Sequence, residues 1–336
     1  MSVPVVAFFN NKGGVGKTSL VYHLAWMYAD LDRRVLAADF DPQASLTAAF
    51  LDEERLEELW GDDNTSGATI YDAVEPLLRG VGDIETPHCE EIADQLTLLA
   101  GSLALARFED ELSQQWPLCL DRKERAFRVV SAFWRMAQRA AEKVRAEVIL
   151  VDLGPNLGAI NRAALISTDY VVIPLAPDLF SLQGLKNLGP SLRTWRGEWQ
   201  ERLKHNPERD HLELPAGHIE PVGYVVWQHG IRLDRPVRAY DKWMARIPST
   251  YAGKVLEDTT QDSVPVERDP HCLGMLRHYR SLIPMAQEAR KPMFHLKPAD
   301  GALGAHFRAV EKAREDFERL AKHIAERSWD ARKSDP

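Results

Sequence analysis

The sequence predicts an α/β fold, with a mostly parallel, twisted sheet flanked by helices on both faces. Three observations carry that expectation. A strand, a glycine-rich turn, a helix and a second strand follow one another at the N-terminus, a βαβ unit that implies parallel pairing. Further short apolar runs recur along the chain, separated by segments of helical periodicity. The 336 residues are 45% hydrophobic and 27% charged, proportions that exclude a disordered chain, a collagen or a coiled-coil rod.

Taken in order, Val3–Phe9 is the first strand, closed by Asn10-Asn11. Leu20, Leu24, Met27 and Leu31 then mark a helix from Lys17. Arg34–Ala38 is a second buried strand that ends on Asp39. Glu147–Val151, Tyr170–Ile173 and Val222–Val226 are further buried strands, with helices near 122–145, 158–167, 181–203 and 234–246. Residues 52–120 open with an acidic, turn-rich stretch and are expected to form a helical insertion above the sheet, so that 1–327 makes one domain. Asn206–Gly217 reads as a surface loop. From Ala305 to Arg327, a stripe of Phe307, Val310, Phe317, Leu320 and Ile324 predicts an amphipathic helix packed on the core. Residues 328–336 read as a frayed tail.

Composition narrows the function. No apolar run reaches the roughly 18 residues of a membrane span, and no export signal stands at the N-terminus. Cys89, Cys119 and Cys272 form no CxxC pair, which leaves no disulfide framework and no zinc or iron–sulfur motif. The expectation is a cytoplasmic protein. The net charge of −8 is uneven. Residues 1–185 carry 16 Lys/Arg against 28 Asp/Glu, whereas 186–336 carry 26 against 22. The C-terminal excess is either variation between solvated faces or a surface that meets a polyanion.

Gly13-Gly14-Val15-Gly16-Lys17-Thr18 lies between the first strand and the first helix, the context that makes a glycine-rich string a phosphate loop. Glycines let the backbone turn tightly and aim successive N–H groups at phosphate oxygens, and the helix dipole favours an anion there. Lys17 supplies a mobile charge for the β/γ oxygens, and the Thr18 hydroxyl is placed to ligate Mg²⁺. The nucleotide-contacting set expected from the loop is Gly13, Gly14, Val15, Gly16, Lys17, Thr18 and Ser19.

Lys12, just ahead of this loop, extends the string to Lys12-Gly13-Gly14-Val15-Gly16-Lys17-Thr18, which resembles the deviant Walker A motif of the ParA/MinD superfamily. The resemblance implies a P-loop NTPase-like fold, ATP/ADP and Mg²⁺ as ligands, and a first lysine that reaches the nucleotide of a partner subunit. Asp39-Phe40-Asp41-Pro42-Gln43 looks like the family's first switch. By that match Asp41 organises the attacking water and the magnesium shell, while Asp39 is either structural or an outer member of the metal site. Ile149–Asp152 followed by Leu153-Gly154-Pro155 looks like Walker B and the second switch, with Asp152 holding a Mg²⁺-bound water. The strand around Gly223–Val226 resembles the one near the adenine, which places Gln228 at the base edge. The chain departs from the pattern after Walker B, where Gly154-Pro155-Asn156 replaces Pro-Pro-Ser. Ala163 also stands where the family often has Asn, with Asn161 two places earlier.

Within the superfamily the likeness is to the ParA/Soj branch. Iron–sulfur branches need the paired cysteines that this chain lacks. The tail Asp330–Pro336 has no apolar face for the membrane attachment of the MinD branch. The resemblance therefore implies a slow, Mg²⁺-dependent, nucleoid-associated ATPase. It would form a sandwich homodimer on ATP, with Lys12, Lys17 and Asp41 as catalytic residues and Thr18, Asp41 and Asp152 at the metal. Non-specific DNA and a stimulating ParB-like protein are the implied partners, and the task is to partition or position DNA or another cargo. Two basic clusters are candidates for DNA: Arg193, Arg196, Arg202 and Lys204, and Arg232, Arg235, Arg238, Lys242 and Arg246, with Arg290 and Lys291 near them. Trp195, Trp199 and Trp243 read as core. The alternative is a nucleotide-dependent switch that gates a partner effector without DNA.

Overall fold

The computed structural model describes residues 2–60, 67–209, 211–227, 237–258, 260, 264–279 and 281–332. Eight strands make one sheet: β1 Val5–Phe8, β2 Val35–Asp39, β3 Glu90–Ala93, β4 Leu96–Leu99, β5 Val148–Asp152, β6 Tyr170–Leu175, β7 Glu220–Trp227 and β8 Cys272–Leu276. Their order is β3-β4-β2-β5-β1-β6-β7-β8. Every pairing is parallel except the β3–β4 hairpin at one edge. The chain runs from β1 toward β2 on one side and later from β6 to β8 on the other. The order thus reverses at β1, and the crevice at its carboxyl end is where such sheets bind ligands.

Alternation along β1 shows why helices cover both faces. Val5 and Ala7 enter one core with Phe108, Phe127, Phe133, Ile160 and Leu185. Val6 and Phe8 enter the other with Leu20, Leu24, Phe317 and Leu320. A strand buried on both sides has no polar face to alternate, so it reads in sequence as a continuous apolar run. The register sets Phe8 and Asp39 opposite Asp152, which gathers the carboxyl ends of β1, β2 and β5 at one point.

Three elements depart from the sequence reading. The 52–120 stretch is helical at Glu53–Trp60, Ile70–Arg79 and Phe108–Leu118, but it also supplies β3 and β4 to the sheet. β8 is the third missed strand. β1, β2 and β5 are as short but wholly buried and, up to Asp39 and Asp152, apolar. By contrast, β3 and β8 are only partly buried, and Thr97 and Gly274 interrupt the apolar runs of β4 and β8. The helix Ala305–Arg327 buries Val310, Phe317, Leu320 and Ile324 as its stripe predicts, while Phe307 stays 48% exposed. The expected fraying fails at its start: Trp329–Arg332 is a helical turn, and Trp329 packs edge-on against Tyr28 at 5.4 Å. Residues 333–336 lie outside the described residues.

Candidate active site

The loop from Asn10 to Gly16 joins β1 to the helix Lys17–Asp30 at the point where the strand order reverses. Gly14 (φ 71°) and Gly16 (φ 84°) adopt left-handed backbone, which a side chain would strain. A Cβ on Gly16 would also stand 3.1 Å from the ring of Trp227, the last residue of β7 and a floor beneath the loop. No side chain caps the helix, so its first N–H groups face the loop, as an anion site requires. Asn10 fastens the loop to the sheet, donating to the Pro174 carbonyl at 2.7 Å and accepting from the Lys12 N–H at 3.0 Å.

Acidic and basic groups converge beneath this loop. The Thr18 hydroxyl donates to Asp152 Oδ2 at 2.6 Å, while Asp152 Oδ1 is buried without a hydrogen-bond partner. Burial, and next the Asp39 carboxylate, hold the Asp152 carboxyl above the usual range. Lys17 donates to the Lys12 carbonyl at 3.3 Å. Burial lowers the pKa of its ammonium, with Asp152 and Asp41 opposing. Asp41 is 8% exposed, accepts from the Gln43 N–H at 3.0 Å, and lies against Gly154, where a Cβ would stand 3.0 Å from Asp41 Oδ1. A hydroxyl, an orphaned buried carboxylate oxygen and a second carboxylate form the hard-oxygen set that fits a hydrated Mg²⁺ completed by phosphate oxygens.

Asp39, left open by the sequence, is taken up by structure. Its Oδ2 accepts the Thr47 N–H and hydroxyl at 2.8 Å each, and Thr47 Oγ1 accepts the Gly101 N–H at 2.8 Å. It thereby ties β2 to the helix Ser45–Phe50 and to the end of β4. Lys12 does not point at the carboxylates of its own site. It pairs with Asp178, the N-cap of the long helix Leu179–Leu203, and lies 3.5 Å from Ser181 Oγ. Although burial opposes it, the Lys12 hydrogen bond holds the Asp178 carboxyl below its usual range.

Sequence reasoning missed Asp178 and Trp227, and named Asn161 without its contacts. Asn161 Nδ2 donates to the carbonyls of Gly154 (2.8 Å) and Asn156 (2.7 Å), folding the loop after Walker B onto the next helix. The departure noted at Ala163 is thus accompanied by a contact made from Asn161. Gln228, Arg232 and Arg235 lie outside the described residues.

The arginines of the first basic cluster do not form a free surface, though Lys204 is exposed. Arg202 is 7% exposed and bonds the Trp116 carbonyl at 2.9 Å. Arg193 bonds the Lys254 carbonyl at 2.9 Å, Arg196 the Ile219 carbonyl, and Lys204 the Glu201 carboxylate at 2.7 Å. Arg290 is spent on the Leu51 carbonyl and Lys291 on Asp300. Lys242 and Arg246 are exposed and flank the half-buried Trp243, their guanidinium or ammonium 5.4 and 5.0 Å from its ring for Arg246 and Lys242 respectively. Among the described residues no helix is long and apolar enough to cross a membrane.

Comparison with known proteins agrees with this architecture. The model of the AAA domain family matches residues 3–205. The chromosome partitioning protein ParA of Myxococcus xanthus is 32% identical over 184 residues, 55% of this chain and 56% of that protein. The chain thus spans little more than half the length of this relative. Among solved structures, protein DIP2308 of Corynebacterium diphtheriae has a TM-score of 0.71 at 23% identity, over 98% of this chain and 100% of that one. A plasmid partition protein of Borrelia burgdorferi bound to AMPPNP has 0.56 at 19% identity, over 96% and 99%. At these identities the two structures establish the fold alone. The chain belongs to the AAA domain family and is a member of the ParA/MinD superfamily of P-loop ATPases.

Proposed function

We propose that the chain is a ParA-like ATPase that closes as a two-fold sandwich around ATP, binds DNA without sequence preference, and hydrolyses ATP when a partner protein orders its switches. The observation that supports this reading is the placement of the two lysines. Lys17 sits inside the cradle with Thr18, Asp41 and Asp152, while Lys12 stands on its rim, 25% exposed, against Asp178. An ammonium on the rim is available to a second copy's nucleotide. A cluster of γ-phosphate charge needs more cations than one loop lysine supplies.

In this reading the N–H groups of Gly13 to Ser19 and the Lys17 ammonium hold the phosphates. Thr18 and Asp152 would hold Mg²⁺, which when bound neutralises charge on the β/γ oxygens. Asp41 orients the attacking water, its position fixed by the Gln43 N–H and by the Gly154 backbone beside it. Lys12 of each subunit completes the opposite site. For DNA, the exposed Lys242 and Arg246 are the better candidates, because the arginines of the long helix are engaged within the fold. That same engagement favours the second reading, a nucleotide switch acting on a partner without DNA.

DNA binding measured over a salt series with ATP and with ADP separates the two. Salt-dependent binding in the ATP state alone supports the first reading. No salt-dependent binding in either state supports the second.

A further inference from the structure

The loop 153–158 leaves Asp152, lays Gly154 against Asp41, and ends at the helix Ala159–Ile166. Its middle residues, Pro155 to Leu157, are exposed. The position of Asp41 therefore depends on where this loop is anchored. Asn161 holds it from one side through the bonds to Gly154 and Asn156. The other hold comes from a distant part of the chain.

The helix Ala159–Ile166 has no side-chain cap of its own, because its N-cap is Gly158. Its first N–H groups are instead taken by Glu109, which accepts from Ala159 at 2.5 Å and from Ile160 at 2.8 Å. Glu109 belongs to the helix Phe108–Leu118 in the 52–120 insertion. A carboxylate at a helix N-terminus gains from both the charge-assisted bonds and the dipole. Gly158 makes room for it, since a Cβ there would stand 2.6 Å from Glu109 Oε1. The same insertion helix reaches the long helix. The guanidinium carbons of Arg162 and Arg202 lie 4.3 and 4.1 Å from the Trp116 ring, and Trp116 Nε1 donates to Glu198 at 3.1 Å.

We propose that Glu109 is a positioning residue for hydrolysis: from the insertion it fixes the loop 153–158, and through Gly154 the place of Asp41. The inference rests on the ATPase reading for its kinetic consequence, but not for its structural one. A nucleotide-linked movement that displaces the end of the loop at Ala159 either carries the helix Phe108–Leu118 with it or breaks the two Glu109 bonds. The insertion thereby becomes a route by which contacts far from the nucleotide reach the site.

The test is Glu109→Gln, which keeps the size and replaces a two-oxygen acceptor by an amide whose NH₂ opposes one of the N–H groups. Hydrogen exchange of the segment 153–162 in the nucleotide-free chain should quicken by about tenfold. The kcat for ATP should fall by about tenfold with KM within roughly twofold of wild type. Gly158→Ala, which leaves Glu109 itself unchanged but whose Cβ would crowd Glu109 Oε1 at 2.6 Å and Asn156 Oδ1 at 3.0 Å, should reproduce both effects. Glu111→Gln, on the same helix and paired with Arg125 and Gln115, should produce neither. Unchanged exchange over 153–162 in both Glu109→Gln and Gly158→Ala overturns the proposal, as does loss of kcat equal to that of Glu111→Gln. Failure of the ATPase reading looks different. Wild type would then show no ATP turnover, while the exchange comparison in the nucleotide-free chain still decides the role of Glu109.

Discussion

The pair formed by Lys12 and Asp178 gives a prediction whose sign separates the proposed account from its competitors. Asp178 does two jobs in the structure: it accepts the Ser181 N–H at 2.8 Å as the N-cap of the long helix, and it holds Lys12. Asparagine caps a helix about as well as aspartate, so Asp178→Asn removes the ion pair and keeps the cap. The pair is 25% and 19% exposed on its two sides, and an ion pair so placed contributes about 1 kcal/mol after screening. Asp178→Asn should therefore lower the unfolding free energy by about 1 kcal/mol, and Asp178→Ala by roughly 2 because the cap is lost as well. If Lys12 must leave Asp178 to reach a second copy, the variant frees both lysines of a dimer. The combined gain of about 2 kcal/mol tightens ATP-dependent dimerisation by roughly 30-fold. Sedimentation velocity with a hydrolysis-resistant ATP analogue measures the dimer constant, and urea titration measures the stability. A dimer no tighter than wild type, or weaker, refutes the idea that the cis pair competes with association.

Other outcomes follow from groups elsewhere in the fold. His23 is buried, with Nδ1 bonded to the Ser19 carbonyl at 2.7 Å and Nε2 accepting the Met293 N–H at 3.2 Å. Burial depresses its pKa from 6.5 to about 4, against the Ser19 bond, so between those values the unfolded chain binds the extra proton. Stability is complete above about pH 6.5 and should fall by up to about 3 kcal/mol as the pH drops toward 4. His23→Gln should flatten that limb in urea titrations. Asp152→Asn removes a buried carboxylate held above its usual pKa. Calorimetry should find the nucleotide-free chain more stable by about 1 kcal/mol, with hydrolysis reduced by at least about 100-fold. Arg202→Ala should cost about 2–3 kcal/mol of stability, because it strips the Trp116 carbonyl and ring of a buried partner, and leave the DNA salt slope unchanged. Arg246→Ala should do the reverse, lowering the slope by about one unit with stability within about 0.5 kcal/mol.

Most of the sheet and the phosphate loop were legible because their residue types are forced. The left-handed backbone of Gly14 and Gly16 favours glycine, and the apolar runs of β1, β2, β5 and β6 are buried on both faces, so they announce themselves without alternation. β3, β4 and β8 were not, since β3 and β8 are only partly buried and Thr97 and Gly274 interrupt the apolar runs of β4 and β8. Partnerships across the chain were equally hidden. Glu109 meets Ala159 fifty residues away, and Lys12 meets Asp178 at a separation of 166. The arginines of the long helix show the limit of reading charge in one dimension. Their spacing suggested a face for DNA, but Arg202 turns inward onto Trp116, which belongs to the insertion that no pattern linked to it. Asp39 and Asp41 sit two residues apart in one motif, yet the first is held by Thr47 and the second borders Gly154.

Subunit mixing tests the trans lysine most directly. Lys12→Ala keeps its own cradle but lacks the ammonium it would lend, whereas Lys17→Ala has a damaged cradle and an intact Lys12. Each alone should be inactive in ATP hydrolysis. Mixed in equal amounts, they should regain activity, because the second subunit's Lys12 completes the first subunit's site. A mixture that hydrolyses ATP no faster than the two variants measured apart, while sedimenting as a dimer, would contradict the account.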